Sequence, residues 1–403
     1  MSVTTLAGKV VLHRGQSYQS ALLDEPGPHL LGLGTIARNG GFNGSSLRTY
    51  GGASPERILL RPGDLYLSLK DVTHKAELLG AVSRVPSTVP LGRLTQDTVR
   101  LQIVDPCIDA MYLYWLLQSP TYRAYCRAHG TGTTNLDLSR NDFLAFEFRL
   151  PPLPEQQAIA EVLGALDDKI AANVTKVTLL LEVVSAEFTK RFGDRRLDIE
   201  LGTLAEIVDC LHSKKPERVS AGRMLMQLNN IRDDGLVDDA TTYSIAEQDY
   251  DRWSARFETR AWDFVITNVG RIGAVARIPV GYVAALGRNM TGIRPRDADE
   301  SGSFIAAALL SSAVRREIEQ RTDAGSVMNA LNVRSIPLLR LQESSAVERA
   351  TFHEVAAPLL ESADTTLAEN RALAAARDAL LPKLMSGALR VKDAAKITEE
   401  AGL

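Results

Sequence analysis

The chain contains one domain-sized pattern twice. Gly80-Ala81-Val82-Ser83-Arg84-Val85-Pro86 returns 193 residues later as Gly273-Ala274-Val275-Ala276-Arg277-Ile278-Pro279. At the same offset, Leu117-Gln118-Ser119 and Arg123 match Leu310-Ser311-Ser312 and Arg316. Gly132, Glu155 and Lys190 likewise match Gly325, Glu348 and Lys383. Leu91-Gly92-Arg93 has its counterpart at Leu286-Gly287-Arg288, offset by 195. A shift held over the greater part of each copy is not coincidence, and the unit is far longer than the roughly 20–50 residues of a solenoid repeat. The 403 residues must build two copies of a whole domain, related by a pseudo-two-fold axis, plus whatever the copies share.

Each copy has the same internal order. Short apolar runs bounded by Gly and Pro come first, such as Asp64–Leu69 and Phe264–Thr267, and they read as strands between turns. Helical stretches follow at Ile108–Ala128 and Ser301–Arg321. Then Pro151-Pro152-Leu153-Pro154 stops a strand, and Glu155 opens a long run with the charge that a helix N-terminus favours. Ile159, Leu163, Leu166, Ile170, Asn173, Val177, Leu180, Val184 and Phe188 recur at spacings of three and four, a heptad seam in which Asn173 fixes register. Residues 155–192 predict roughly 57 Å of helix at 1.5 Å per residue, closed by Gly193.

The same seam shifted by 193 gives Phe352, Ala356, Leu359, Ala363, Thr366, Asn370, Leu373, Arg377 and Leu381. Pro358 and Pro382 are expected to kink or end this second helix. A seam must be covered, and the economical cover is the other long helix, antiparallel to it. An ordinary amphipathic helix on a globular core is the simpler account of one seam alone. Duplication at matching length favours the pair.

Composition excludes more than it identifies. Hydrophobic residues make up 45% and charged residues 24%, enough apolar mass for cores and too much for a disordered chain. No apolar run approaches the ~20 residues of a membrane helix. Residues 1–15 lack a basic stretch followed by an apolar one, and three scattered cysteines (Cys107, Cys126, Cys210) suit neither a disulfide framework nor a zinc site. The expectation is a cytoplasmic protein. The net charge of −3 is low for a dedicated polyanion binder, so any nucleic-acid contact needs clustered cations or a partner's charge.

Catalytic motifs fail on inspection. Gly32-Leu33-Gly34-Thr35-Ile36-Ala37 fits G-x-G-x-x-A, but Asn39-Gly40-Gly41 breaks the helix whose N-terminus would hold a pyrophosphate. His353-Glu354 lacks the second histidine of H-E-x-x-H, because position 357 is Ala357. Asp167-Asp168-Lys169 falls on the long helix as a solvated face. The expectation is a chain that is no enzyme, with no catalytic residue and no metal.

Leu150-Pro151-Pro152-Leu153-Pro154-Glu155-Gln156-Gln157-Ala158-Ile159-Ala160, then Leu166-Asp167-Asp168-Lys169-Ile170 and Asn173, resembles the central conserved region of type I restriction–modification specificity subunits. Arg377-Asp378-Ala379-Leu380-Leu381-Pro382-Lys383-Leu384-Met385-Ser386-Gly387 resembles that family's distal region. Glu343-Ser344-Ser345-Ala346-Val347-Glu348 departs from the P-L-P-E-Q pattern at the second helix start. The resemblance implies an α+β fold: two pseudo-two-fold-related α/β target-recognition domains separated by two long antiparallel helices that form a coiled-coil rod. It divides the chain into recognition domain 1–150, helical spacer 151–194, recognition domain 195–345, helical spacer 346–390 and tail 391–403. It also implies double-stranded DNA with a bipartite site as ligand. The implied partners are two methyltransferase subunits bringing S-adenosylmethionine and restriction/translocase subunits using ATP and Mg. The chain itself binds no cofactor in that scheme.

Amide and guanidinium side chains in loops suit adenine and guanine edges. In copy two these are Gln227, Asn229, Asn230 and Arg232, then Arg271, Arg288 and Asn289. In copy one they are Arg38, Asn39, Asn43, Arg48, Lys70, His74 and Lys75. Copy one has six more residues between Asp64 and Gly80 than copy two has between Asp263 and Gly273, so the two reading surfaces should differ. Arg84/Arg277 and Arg93/Arg288, present in both copies, are poor readers of two different sequences. The competing readings are a non-catalytic coiled-coil scaffold for proteins and a single-chain methyltransferase.

Overall fold

A computed structural model describes residues 3–72, 75–133, 135–239, 241–323 and 329–400. The chain divides into two compact units, Met1–Ile170 with Leu373–Leu403, and Ala171–Ala372.

In the first unit a four-stranded antiparallel sheet has the spatial order Val10–Arg14, Thr98–Ile103, Leu65–Ser68, Val82–Arg84. All four residues of Leu65–Ser68 are buried, as befits an inner strand. A second sheet centres on Gly92–Leu94, which runs parallel to His29–Leu31 and antiparallel to Leu59–Leu60. Asp109 and Ser119 cap the helices Ala110–Leu116 and Pro120–His129, and Pro120 occupies the first turn, where its missing N–H costs nothing. Val3–Thr5 pairs with Glu147–Arg149.

The second unit repeats this topology. Its main sheet runs Ala205–Asp209, Met290–Pro295, Phe264–Thr267, Val275–Arg277, all antiparallel. Arg223–Met226 lies parallel to Ala285–Leu286, matching the parallel pair in the first unit. Leu197–Glu200 pairs with Arg340–Gln342, and the helices Ala298–Leu310 and Ser312–Gln320 follow the sheet strands.

Two alignments from sequence need correction. Ser119 and Ser311 both cap the second helix of their pair, so Arg123 corresponds to Arg315 rather than Arg316. Leu31 opposes Leu94 and Met226 opposes Leu286, so Arg93 corresponds to Ala285, and Arg288 is not its counterpart. Short similar strings misled because loop lengths differ between the copies.

The long helices span Leu153–Phe192 and Ala346–Ser386. The second runs on through Pro358 and Pro382, so neither proline ends it. An interior proline costs about 3 kcal/mol. Here Phe352, Ala356 and Leu360 are buried around Pro358, and Leu380, Leu381 and Leu384 around Pro382, so packing holds the helical path. The start of this helix is regular despite its unusual sequence. Ser345 and Glu348 form a capping box: the Glu348 carboxylate accepts from the Ser345 N–H at 2.8 Å, and Ser345 Oγ accepts from the Glu348 N–H. Residues Val391–Glu400, expected as a tail, form a helix whose Ala394 is buried in the first unit's core.

Each unit takes part of both long helices into its core. In the first, Ile159, Leu163 and Leu166 pack with Leu373, Leu380, Leu381 and Leu384, while Ile170 is half-buried. Arg377 donates to Asp167 at 2.5 Å. In the second, Val184, Phe188 and Phe192 meet Phe352, Ala356 and Phe304, with ring centroids 5.1–5.8 Å apart among the four phenylalanines in the packed pairs. Leu180 and Leu359 are half-buried, and Val177 packs with Ala363. Asn173 is 4% exposed and donates from Nδ2 to the Glu369 carboxylate at 3.0 Å.

Phe352→Ala should destabilise the second unit by about 3–5 kcal/mol, because its ring is fully buried. Leu179→Ala, at a 55% exposed position of the same unit, should fall within about 0.5 kcal/mol. Thermal unfolding of the two variants checks the contrast. A second prediction concerns pH. Arg195 and the Ser345 N–H hold the Glu348 carboxyl at about 2, below its ordinary 4.5. A depressed carboxyl stabilises the folded state above its unfolded pKa, so the helix start should be fully protected above pH 4.5 and lose protection as pH falls toward 2. Amide hydrogen exchange at Ala346–Arg349 reads this directly.

Candidate nucleic-acid interface

In the second unit, four sequence-selected side chains gather around a shallow pocket of about 340 Å³: Gln227, Asn229, Arg288 and Asn289. The turn after Arg223–Met226 delivers Gln227 and Asn229. The turn after Ala285–Leu286 delivers Arg288 and Asn289, with Asn289 at φ +64 in the left-handed region that asparagine tolerates. The parallel pairing of those two strands sets the two turns side by side. Arg288 and Asn229 are exposed. Asn229 Nδ2 donates to Thr241 Oγ1 at 2.9 Å, and Gln227 Nε2 donates to the Met226 carbonyl at 2.9 Å.

The other three candidates in this unit are consumed by the fold. Asn230 is buried; its Oδ1 accepts from the Gln227 N–H, and its Nδ2 donates to the carbonyls of Asp238 and Thr241. Arg232 clamps Asp234 at 2.5 Å, and that hydrogen bond raises its pKa further. Arg271 donates to the Ile231 carbonyl and the Asp233 carboxylate. A buried or chelated group is a poor reader of base edges, because reading requires open donors and acceptors.

Sequence reasoning did not select the pocket's other members, Lys215, Leu225, Leu228 and Trp253. Lys215 lies over the Tyr243 ring, 3.7 Å from its centroid, and burial with help from Arg218 pushes its ammonium pKa down. Trp253 is buried at the pocket wall. The Lys214-Lys215 pair was the available signal for Lys215; nothing local marks Trp253.

The first unit uses its candidates differently. Arg48 chelates Asp24 through Nε and Nη2, at 2.9 and 2.5 Å, and holds that carboxyl below its ordinary range. Arg38 sits 3.5 Å from Glu77, and Lys70 3.7 Å from Asp97. Asn39 has φ +64, and Asn43 closes its own turn by donating to the Gly34 carbonyl and accepting from the Ser45 N–H. Lys75 is exposed. His74 lies outside the described residues. The six-residue insertion is pinned from below by buried Arg123, which donates to the carbonyls of Ala76, Glu77 and Leu79. Arg315, its counterpart, reaches only the Asp233 carbonyl. The two surfaces therefore differ in construction as well as length.

Of the four arginines set aside as duplicated, Arg93 and Arg277 are internal. Arg277 is buried against the Leu360 carbonyl and Asp364, and Arg93 is buried against the carbonyls of Gln16 and Ser17 beneath Tyr50. The G-x-G segment is a 3₁₀ turn, Leu33–Thr35, that leads into an extended residue at Ile36. Among the described residues, Asp209, Cys210 and His212 bring donor atoms within 4.8 Å of one another, a cluster that spacing alone did not suggest. Burial pushes the Cys210 thiol up, which disfavours the thiolate a metal needs, and His212 is already engaged with Asp209 at 2.8 Å. No described helix is long and apolar enough to cross a membrane.

Residues 95–181 match the family model for the type I restriction modification DNA specificity domain. Three solved structures are similar over nearly the whole chain. The S subunit of the type I restriction–modification system from M. genitalium is 16% identical, with 95% of this chain and 96% of that chain covered and a TM-score of 0.60. The HsdS subunit from Thermoanaerobacter tengcongensis is 15% identical, covers 96% and 97%, and has a TM-score of 0.35. A chain from a study of complex assembly and conformational transition of the type I R-M system is 14% identical, covers 95% and 97%, and has a TM-score of 0.41. Only the first is close enough to speak for the fold. No curated protein sequence matches. The chain thus carries a segment similar to the type I restriction modification DNA specificity domain, in a fold similar to that of the M. genitalium S subunit.

Asn230→Ala should lower the stability of the second unit by about 1–3 kcal/mol, because the buried amide's three hydrogen bonds to backbone groups are lost. Chemical denaturation measures it. A side chain whose work was base reading would leave the midpoint unchanged.

Proposed function

We propose that this chain is the DNA sequence-specificity subunit of a type I restriction–modification complex, with each of its two units reading one half of a bipartite site in double-stranded DNA. Residues 1–150 and 195–345 are the recognition domains in this reading, and 151–194 and 346–390 are the helical spacers. The observation that carries it is the specificity-domain match over 95–181 within a fold that recurs in the second unit with different loops. Two copies of one scaffold with unlike loops suit two unlike half-sites. Half-buried Gln227 with exposed Asn229 and Arg288 puts amide and guanidinium groups around one pocket, the chemistry that distinguishes base edges in the major groove.

The long helices, continuous from one unit into the next, set the non-specific gap and dock two methyltransferase subunits. In support, Leu179 and Val183, one turn apart on the first long helix, are each more than half exposed and offer apolar surface to a partner. S-adenosylmethionine belongs to those methyltransferase partners, and ATP with Mg to restriction subunits. The chain contributes recognition and no catalytic group. The low net charge fits a protein whose partners share in embracing the DNA.

The test replaces residues 1–150 by the corresponding domain of another member of the family and maps methylated sites in cells carrying the complex. One half-site should change while the other half is kept. A change in both halves, or in neither, overturns the modular reading. Loss of all sequence preference, with binding insensitive to salt, would instead mark a protein scaffold.

A further inference from the structure

Because Leu94 and Leu286 occupy the same strand position, the turns that leave them correspond residue by residue. Thr95-Gln96-Asp97 in the first unit stands where Gly287-Arg288-Asn289 stands in the second. Hydrogen bonds and pairing fix that register. The Thr95 N–H donates to the Leu31 carbonyl at 3.2 Å, and the Gly287 N–H to the Met226 carbonyl at 2.9 Å. After each turn, Thr98 pairs with Ser68 as Met290 pairs with Thr267. Burial agrees: Thr95 and Gly287 are buried, Gln96 and Arg288 exposed, Asp97 and Asn289 half-buried.

The neighbouring turn corresponds too. Leu33–Thr35 and Leu228–Asn230 are both 3₁₀ turns, preceded by Gly32 and Gln227 and followed by Ile36 and Ile231, which bridge to Phe42 and Val237. The two turns touch in each unit, and the crowding is relieved in opposite ways. A Cβ on Gly32 would come 3.2 Å from Thr95 Oγ1, and a Cβ on Gly287 would come 2.9 Å from Gln227 Nε2. One member of the contact is glycine in each copy, so the other can carry a side chain. The first unit thus has Gly32 and Gly34 where the second has Gln227 and Asn229. Its open polar group lies on the other turn. Among the described residues, neither the Gln96 amide nor the Arg288 guanidinium makes a hydrogen bond or ion pair, whereas Asp97 lies 3.7 Å from Lys70. The Gln96 carbonyl accepts from Arg14 Nε at 3.0 Å, which ties down the backbone and leaves the side chain open.

We propose that Gln96 and Arg288 are equivalent specificity-determining residues, Gln96 bonding an adenine in one half-site and Arg288 a guanine in the other. The inference rests on the specificity-subunit reading above. Unlike side chains, both exposed and unengaged, at one point of a duplicated scaffold are what two unlike half-sites require. Glutamine matches the N6 donor and N7 acceptor of adenine, and arginine matches the O6 and N7 acceptors of guanine. Gln96 escaped selection from sequence because the string Leu91-Gly92-Arg93 drew Arg288 into alignment with Arg93, three residues before its true counterpart.

The test maps methylated sites in cells carrying the full chain with its methyltransferase subunits, the half-sites being assigned by the domain replacement above. Gln96→Arg should convert one A·T pair to G·C in the half-site of residues 1–150 and leave the other half as it is. Arg288→Gln should make the reverse change in the other half. Gln96→Ala should lose roughly tenfold of the preference at that same pair, the discrimination of one good bidentate contact. A second measurement needs no variant. Purines in duplex DNA are replaced one at a time by 7-deaza analogues, which lack the N7 acceptor, and binding of the unaltered complex is measured. Apart from the methylated adenines, one adenine in the first half-site and one guanine in the second should prove sensitive. A bipartite site that both exchanges leave unchanged, a change in the opposite half, or insensitivity to every 7-deaza purine would overturn the proposal while the specificity-subunit reading stands. An unaltered complex with no bipartite site would overturn both.

Discussion

Neither unit has a complete core without residues from both long helices. In the first, Ile159, Leu163 and Leu166 are buried with Leu373, Leu380 and Leu384. In the second, Phe188 and Phe192 close on Phe352 and Phe304. Segments distant in sequence must therefore meet before either sheet has a floor. The constraint explains why the second long helix tolerates two prolines. What decides its path is the apolar side chains fixed on either side, and their burial outweighs one missing N–H at each proline.

That shared packing leaves the loops free to vary, and the two units have used the freedom differently. The first carries a longer connection from its inner strand Leu65–Ser68 to its edge strand Val82–Arg84, held down by buried Arg123. The second brings two turns together through its parallel strand pair and exposes Asn229 and Arg288 beside half-buried Gln227. Many of the remaining cations are neutralised where they stand, as with Arg48 on Asp24, Arg232 on Asp234 and Arg271 on Asp233. A surface organised in this way has little nonspecific pull on phosphates and keeps a few groups open, which favours discrimination over bulk attraction.

Much of the architecture was legible because duplication and heptad spacing are collective signals. Each depends on many residues, and no single substitution erases them. The candidate site was legible only in part. Loop position and side-chain chemistry selected Gln227, Asn229, Arg288 and Asn289, which the fold brings around one pocket, and selected Asn230 by the same criteria. Asn230 is buried because the turn it caps folds back over it, and that closure depends on Asp238 and Thr241, eight and eleven residues away. Arg93 and Arg288 looked equivalent for a similar reason: matching letters carried no information about which strand residues face each other.

The sequence by itself determined that there are two copies of one domain, that each is followed by a long helix with an apolar seam, and that Asn173 interrupts that seam. These follow from periodicity, which burial imposes on every residue of an element at once. Only the tertiary structure decided which polar side chains remain open to a ligand. That outcome depends on whether a carboxylate or carbonyl happens to arrive within about 3 Å, from a segment whose approach is set by the packing of everything between.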